Sequence, residues 1–357
     1  MTKSVSNLAA VLPSPGSALD IQERKIPSPG PGEILIRNRA LAINPMDWKR
    51  QLYGFAVSSY PAVLGTDLAG VVDQVGPGVT LFQPGDRVLA SAAGFLTGNS
   101  DQGAFQTYTT VMDALATKVL DKITFSEAAT LPAAVSTATI ALFDVLGLPI
   151  SDLENTATST NPTKTGILVW GGASSTGSAV VQFARLAGLV VFATASPQHH
   201  DRVRALGATA VVDYRSPTVV EDLLAAAREA GTPITLALDA ISTEETLPLV
   251  ARVLAESEDG PGSDRKKILA TLLPWPDTVA RPESVQVLWV AGQRIWKERI
   301  DLGRLVFNKL LGKWLETGEV VPAKVQVVDG GLSSLQAGMD EVRKGVSGVK
   351  VVVELDE

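Results

Sequence analysis

Apolar positions in the first third of the chain come in short runs cut by Gly and Pro. Glu33–Ala42 (EILIRNRALA), Leu68–Val75 (LAGVVDQV) and Arg87–Ser91 (RVLAS) are the clearest of them. Runs of this length bounded by turn residues predict strands, and their spacing predicts a small barrel-like β domain. The pattern changes at Ser126, where SEAATLPAAVSTATIALFDVLG is Ala-rich and carries Pro132 near a bend. That stretch predicts a helical bridge. Ser151–Lys164 has no apolar period and predicts an exposed loop.

Strand and helix patterns then alternate. Strands are predicted at Gly166–Trp170, Val190–Ala195, Ala210–Val212, Thr235–Leu238 and Ile268–Leu272, with helices near Ser175–Ala187, His200–Leu206 and Val219–Glu229. Repeated βα units argue for a parallel sheet covered by helices on both faces. Arg252–Lys267 predicts a polar hairpin or loop. The tail predicts a helix near Leu302–Thr317, a strand at Ala323–Val328, a helix near Leu335–Lys344 and a last strand at Lys350–Leu355. The expected division is discontinuous, with residues 1–135 and 318–357 forming one domain and 136–317 the other.

Length and composition narrow the classes. A chain of 357 residues suggests about two domains at roughly 100 to 200 residues each. Hydrophobic residues at 45% and charged residues at 19% are the balance of a packed globular protein. The net charge of −7 argues against broad affinity for nucleic-acid phosphates. Cysteine is absent, which removes disulfides, iron–sulfur clusters, thiolate nucleophiles and cysteine-bearing zinc sites together. Only His199 and His200 supply imidazoles, and adjacent histidines do not converge on one metal, so no metal is expected. The apolar run Leu8–Leu12 is too short for a signal or membrane segment, and a cytoplasmic protein without membrane contact is expected.

The strongest chemical signal is Ile167–Gly177 (ILVWGGASSTG), an apolar strand joined to a helix by a Gly/Ser-rich turn. Small residues there let a pyrophosphate approach the backbone, and the N–H groups and dipole at the helix start favour an anion. Gly171, Gly172, Ser174, Ser175, Thr176 and Gly177 supply both features. A tight βα turn that holds no ligand is the competing reading. At the end of the next strand, NAD enzymes commonly place an acid for the ribose hydroxyls. Here Ser196-Pro197-Gln198-His199-His200 precedes the first acid, Asp201, and Arg202 follows. The missing acid and the available donors favour a 2′-phosphate, hence NADPH, with Tyr214 and Arg215 as further flanking residues.

Taken together, Ala42–Lys49 (AINPMDWK), Leu64–Gly70 (LGTDLAG), Gln83–Val88 (QPGDRV), Gln102–Phe105 (QGAF) and Leu131–Ala134 (LPAA) resemble the medium-chain dehydrogenase/reductase superfamily over nearly the whole chain. The zinc-free quinone-oxidoreductase and enoyl-reductase branch matches best. Ile43–Lys49, Asp101–Phe105, Val169–Gly172, Asp213–Arg215 and Val342–Gly345 are most similar to the trans-acting enoyl reductases that serve fungal polyketide synthases. The resemblance implies an α/β protein with a GroES-like β-barrel-type substrate domain and a Rossmann doubly wound parallel-sheet nucleotide-binding domain. Thr66 stands where zinc-dependent members carry a His ligand, so the Lewis acid of alcohol oxidation is missing.

The resemblance therefore implies a metal-independent, NADPH-dependent ene-reductase, in which hydride goes to the β-carbon of an α,β-unsaturated acyl or carbonyl substrate and charge spreads into an enolate. Met46, Asp47, Trp48 and Lys49 are implied to lie over the cofactor, with Lys49 on the nicotinamide ribose, and Pro45 predicts a fixed loop there. Thr137 is implied beside the nicotinamide, and Ala138, Ala141, Leu142, Val145 and Trp289 at the acyl pocket. Leu273, Pro274, Val346 and Ser347 are implied as further cofactor contacts. Tyr53, Lys49 or water are candidates for protonating the α-carbon. The implied partner is a small-molecule or carrier-protein-bound acyl substrate, with a polyketide synthase behind it, and the chain itself a monomer or homodimer. Two other readings stay open: a quinone or 2-enal oxidoreductase, and an NADPH-binding partner protein without turnover.

Overall fold

The computed structural model describes residues 6–151, 165–258 and 266–356. Most of the predicted loop Ser151–Lys164, and the middle of the predicted loop Arg252–Lys267, lie outside the described residues. The chain groups into two compact units: 1–136, 295–318 and 322–357 in the first, and 137–294 with 319–321 in the second. Residues 295–317, placed with the nucleotide domain by the sequence pattern, group with the first unit. Thr117 Oγ1 donates to the Phe307 carbonyl at 2.7 Å and Asn308 Nδ2 to the carbonyls of Asp113 and Ala116, which ties this helical segment to the first unit's strands.

The first unit is built on a sheet ordered Lys324–Val327, Val349–Glu354, Glu33–Ala42, Asp67–Val75, Arg87–Ser91 and Ala116–Lys118, with Tyr108–Met112 also paired to Glu33–Ala42. The last strand of the chain runs antiparallel to Glu33–Ala42, so the C-terminus completes the sheet begun near the N-terminus. Leu8–Leu12 belongs to the strand Asn7–Leu12, which pairs with Asp20–Arg24 and Ala62–Val63 in a second, three-stranded sheet. Ile34, Ile36, Leu41, Ile43, Leu64, Phe105, Met339 and Val351 meet in one core with almost no accessible surface.

The second unit carries a six-stranded, wholly parallel sheet in the order Ala210–Val212, Val190–Thr194, Gly166–Trp170, Ile234–Asp239, Ile268–Thr271, Gln286–Trp289. Runs such as GILVW and ITLALD are apolar without alternation because both faces are covered, which is what a parallel sheet requires. Numbered within the unit, the strands read 3-2-1-4-5-6, so the order reverses between Gly166–Trp170 and Ile234–Asp239. In open α/β sheets, ligands bind beyond the carboxyl ends of the strands at such a reversal.

Three elements differ from the sequence pattern. Thr246–Glu256 is a helix, with Pro248 in its first turn where no N–H is needed, and it takes in Arg252–Glu256, the start of the predicted polar loop. Gln286–Trp289 is an edge strand half open to solvent, too short and mixed to show a period. The Leu302–Thr317 helix is interrupted by a π-helical stretch at Arg304–Leu310. By length and composition the helical run Phe125–Val145 is apolar enough to cross a membrane, but most of it is buried inside the protein.

Candidate cofactor and active-site residues

Strand Gly166–Trp170 is buried throughout and ends at Gly171, whose φ of +79° is open to glycine at no cost. Gly171 N–H donates to Thr194 Oγ1 at 3.0 Å and Gly172 N–H to the Thr194 carbonyl at 2.8 Å. Ser174 then caps the helix Ser175–Leu186, its Oγ accepting from Gly177 N–H at 3.0 Å. A Cβ at Gly177 would stand 2.2 Å from the Gly171 carbonyl oxygen, so only glycine lets the helix start this close to the strand end. With Gly177 capped, the N–H groups of Ser175 and Thr176 have no acceptor among the described residues. Ser175 Oγ is likewise buried without a partner. These orphan donors at a 12-residue helix start fit a pyrophosphate.

The adenosine end follows the neighbouring strand. Ser196, His199 and His200 are half-buried and Pro197 and Gln198 exposed. His200 Nε2 lies 3.0 Å from the Ala195 carbonyl, which fixes the ring against the turn. Arg202 is half-buried, and burial lowers its pKa. Tyr214 is 44% exposed, with the Arg215 guanidinium 5.5 Å from its ring centroid. Arg215 also pairs with Asp213 at 3.1 Å, and the hydrogen bonds from Arg215 hold that carboxyl below its usual range. Asp213, next to Tyr214, is thus paired by its own neighbour.

In the first unit the part of AINPMDWK from Pro45 on lies in a helix, Pro45–Tyr53, with Pro45 at its first position, and not in the fixed loop that the sequence pattern predicts. Asp47 has no accessible surface; its Oδ2 accepts from Asn44 N–H at 2.8 Å and closes the helix start. Burial pushes its pKa up to about 6, against the lowering effects of the Asn44 N–H and Arg50. Asp47 is therefore a helix cap and presents no surface to a cofactor. Lys49 is half-buried, its Nζ 5.6 Å from the Trp48 ring centroid, and burial lowers its pKa. Trp48 meets Tyr53 edge to face at 6.3 Å, and Tyr53 is 72% exposed. Met46 is half-buried.

The remaining predicted residues scatter. Thr137 is half-buried; Ala138, Ala141 and Leu142 have no accessible surface, while Val145, at the end of the π-helical turn Ile140–Val145, is half-buried. Such turns recur at functional sites. Trp289 is 48% exposed and donates from Nε1 to the Leu272 carbonyl at 3.3 Å. Leu273 is half-buried, and Pro274, Val346 and Ser347 are exposed. Among the described residues, no three His, Cys, Asp or Glu side chains gather where they could hold a metal ion.

Two features lie beyond what the local pattern shows. One is Thr194, which holds both glycines of the turn. The other is a buried cluster behind the Lys49 helix: Asp67 Oδ2 accepts from Lys350 Nζ and from Asn44 Nδ2, each at 2.9 Å. Asp67 stands out after Thr66 in LGTDLAG, but its partner lies 283 residues away.

Residues 30–122 match the alcohol dehydrogenase GroES-like domain. The trans-enoyl reductase tndF of Aspergillus flavipes is 37% identical over 365 residues, spanning 97% of this chain and 98% of its own. The dehydrogenase azaJ of Aspergillus niger is 36% identical over 361 residues, spanning 98% and 99%. The chain belongs to the medium-chain dehydrogenase/reductase superfamily. An alcohol dehydrogenase superfamily protein from Novosphingobium aromaticivorans shares the fold of this superfamily member at a TM-score of 0.78 and 23% identity, covering 98% of this chain and 100% of that one. As an oxidoreductase of this superfamily, the chain carries its two modules in the described units: the GroES-like match lies in the first, and the parallel sheet with the glycine turn forms the second.

Proposed function

We propose that this protein is an NADPH-dependent, metal-independent enoyl reductase acting in trans on acyl chains made by a polyketide synthase. What carries the reading is the full-length likeness to a chain named as a trans-enoyl reductase, joined to a glycine turn with free N–H donors. When bound, the reduced nicotinamide supplies the hydride. Ser175 and Thr176 N–H groups hold the pyrophosphate, and Tyr214, Ser196, His199 and His200 receive the 2′-phosphate side of the adenosine. Lys49, drawn partly out of water, hydrogen-bonds the nicotinamide ribose and orients the ring. Thr137 and Val145 border the substrate. Charge that develops on the thioester oxygen is held by hydrogen bonds, while a proton from Tyr53, Lys49 or solvent completes the α-carbon. A carrier-protein-bound substrate in the cytoplasm is the setting proposed.

The test is NADPH consumption with a 2-enoyl pantetheine thioester, a small quinone and a simple enal, with NADH as control. Turnover of the thioester to a saturated product of the right mass supports the reading. Turnover of quinone or enal alone moves the protein to free-substrate reduction, and NADPH binding without turnover of any of them means a larger substrate or a role that is not redox. Lys49→Ala is expected to lower kcat roughly a hundredfold, the scale of a lost orienting contact.

A further inference from the structure

The carboxylate of Asp67 is fully buried and every strong contact it makes is to an element start. Oδ2 accepts from Lys350 Nζ at 2.9 Å and from Asn44 Nδ2 at 2.9 Å; Oδ1 accepts from Ala133 N–H at 2.7 Å. Lys350, on the last strand, is 4% exposed at its side chain and also donates to Asn44 Oδ1 at 2.5 Å. Asn44 precedes the helix that carries Lys49. Ala133 lies in the first turn of the helix Pro132–Thr139, which carries Thr137.

One detail separates this cluster from ordinary packing. Asn44 is the cap residue of its helix, a place where an Asn side chain normally accepts from the helix's own N–H groups. Here the Asp47 N–H donates to the Asn44 carbonyl at 3.0 Å. The Asp47 carboxylate closes the cap on Asn44 N–H, and the Asn44 amide is turned onto the Asp67–Lys350 pair. Burying an ion pair seldom adds net stability, so a pair kept at this depth is better read as a device that fixes geometry. Displacing a reacting group by about 1 Å costs on the order of a hundredfold in rate, which is enough to make such a device matter.

We infer that Asp67, with Lys350 as its counter-ion, is a positioning residue that holds the starts of the Lys49 helix and the Thr137 helix in one register. This role rests on the proposed function, in which Lys49 orients the nicotinamide. The Asn44 amide is the link that transmits the pair to the Lys49 helix, and Ala133 N–H is the link to the other.

Asn44→Ala cuts the first link and takes one hydrogen-bond partner each from Lys350 Nζ and Asp67 Oδ2, a loss expected to cost about 1 to 3 kcal/mol of stability, so its kinetics are read well below its melting transition. The experiment compares wild type, Asn44→Ala, Lys350→Met, Lys350→Arg and Lys49→Ala for kcat, KM of a 2-enoyl pantetheine thioester, NADPH affinity by fluorescence, melting temperature, and the isotope effect with NADPH deuterated at C4. Asn44→Ala is expected to lower kcat about tenfold, a fraction of the loss from a full misplacement. Its melting temperature falls with the lost buried hydrogen bonds, KM stays near wild type, and the isotope effect, measured on the folded enzyme, rises because hydride transfer has become slower than release. Lys350→Arg restores most of what Lys350→Met loses. An Asn44→Ala enzyme with wild-type kcat and isotope effect, beside an impaired Lys49→Ala, overturns the positioning role while leaving the Lys49 role intact. If Lys49→Ala itself turns over like wild type, the proposed role of Lys49 fails and the positioning role with it.

Discussion

Thr194 holds Gly171 by its hydroxyl and Gly172 by its carbonyl, so one residue at the end of a neighbouring strand fixes both glycines of the turn after Gly166–Trp170. Thr194 is wholly buried, and no water can replace its Oγ1. Thr194→Val keeps the shape and leaves the Gly171 N–H without an acceptor, which is expected to cost about 1 to 3 kcal/mol of stability. Denaturant unfolding checks the loss, and NADPH titration checks the accompanying fall in affinity.

Gly177 allows the helix Ser175–Leu186 to begin against the strand end. A methyl there would meet the Gly171 carbonyl oxygen at 2.2 Å, a rigid backbone atom that cannot swing aside. Gly177→Ala is therefore expected to destabilise the second unit by about 1 to 3 kcal/mol and to weaken pyrophosphate binding. Calorimetry with and without NADPH measures both; unchanged melting and affinity would show that the turn has slack.

Tyr214 presents its ring with Arg215 beside it, and Arg215 is partly committed to Asp213. Tyr214→Ala is expected to weaken NADPH binding by about 1 kcal/mol, or roughly fivefold, and NADH binding less. Equal losses for the two cofactors would remove Tyr214 from the 2′-phosphate site.

The buried Asp47 gives the first unit a pH signature. Its pKa is raised from 3.8 to about 6, so between these values the folded chain binds the proton and the unfolded chain has released it. Stability from this group therefore rises as the pH falls from about 6 towards about 4, by up to about 3 kcal/mol, and is lost again as the pH rises through 6. Asp47→Asn keeps an acceptor for the Asn44 N–H and removes the titration. The difference in unfolding free energy between the variant and wild type is expected to favour the variant at pH 7 and to shrink towards pH 4; a difference that does not vary with pH would show that Asp47 does not titrate in this window.

Much of the second unit is legible in the amino-acid sequence. GILVW, VVFAT and the Gly/Ser turn after the first of them declare a buried parallel strand and a helix start, because apolar runs without alternation and small residues at a turn each have a local cause. The helix Thr246–Glu256 is masked by Pro248, whose effect depends on which turn of the helix it occupies. The edge strand Gln286–Trp289 is masked by its exposure, which erases the period.

Local pattern by itself determined the α/β plan, the strand–glycine turn–helix unit, the absence of cysteine and the resemblance that names the superfamily. Tertiary structure alone decided that Asp47 serves its own helix, that Ala138, Ala141 and Leu142 are packed away, and that residues 295–318 sit with the first unit. It also decided that Lys350 answers Asp67 across 283 positions. The reason is physical: propensity, capping and periodicity act over a few residues, whereas burial and the pairing of buried charge depend on which distant segments fold against each other.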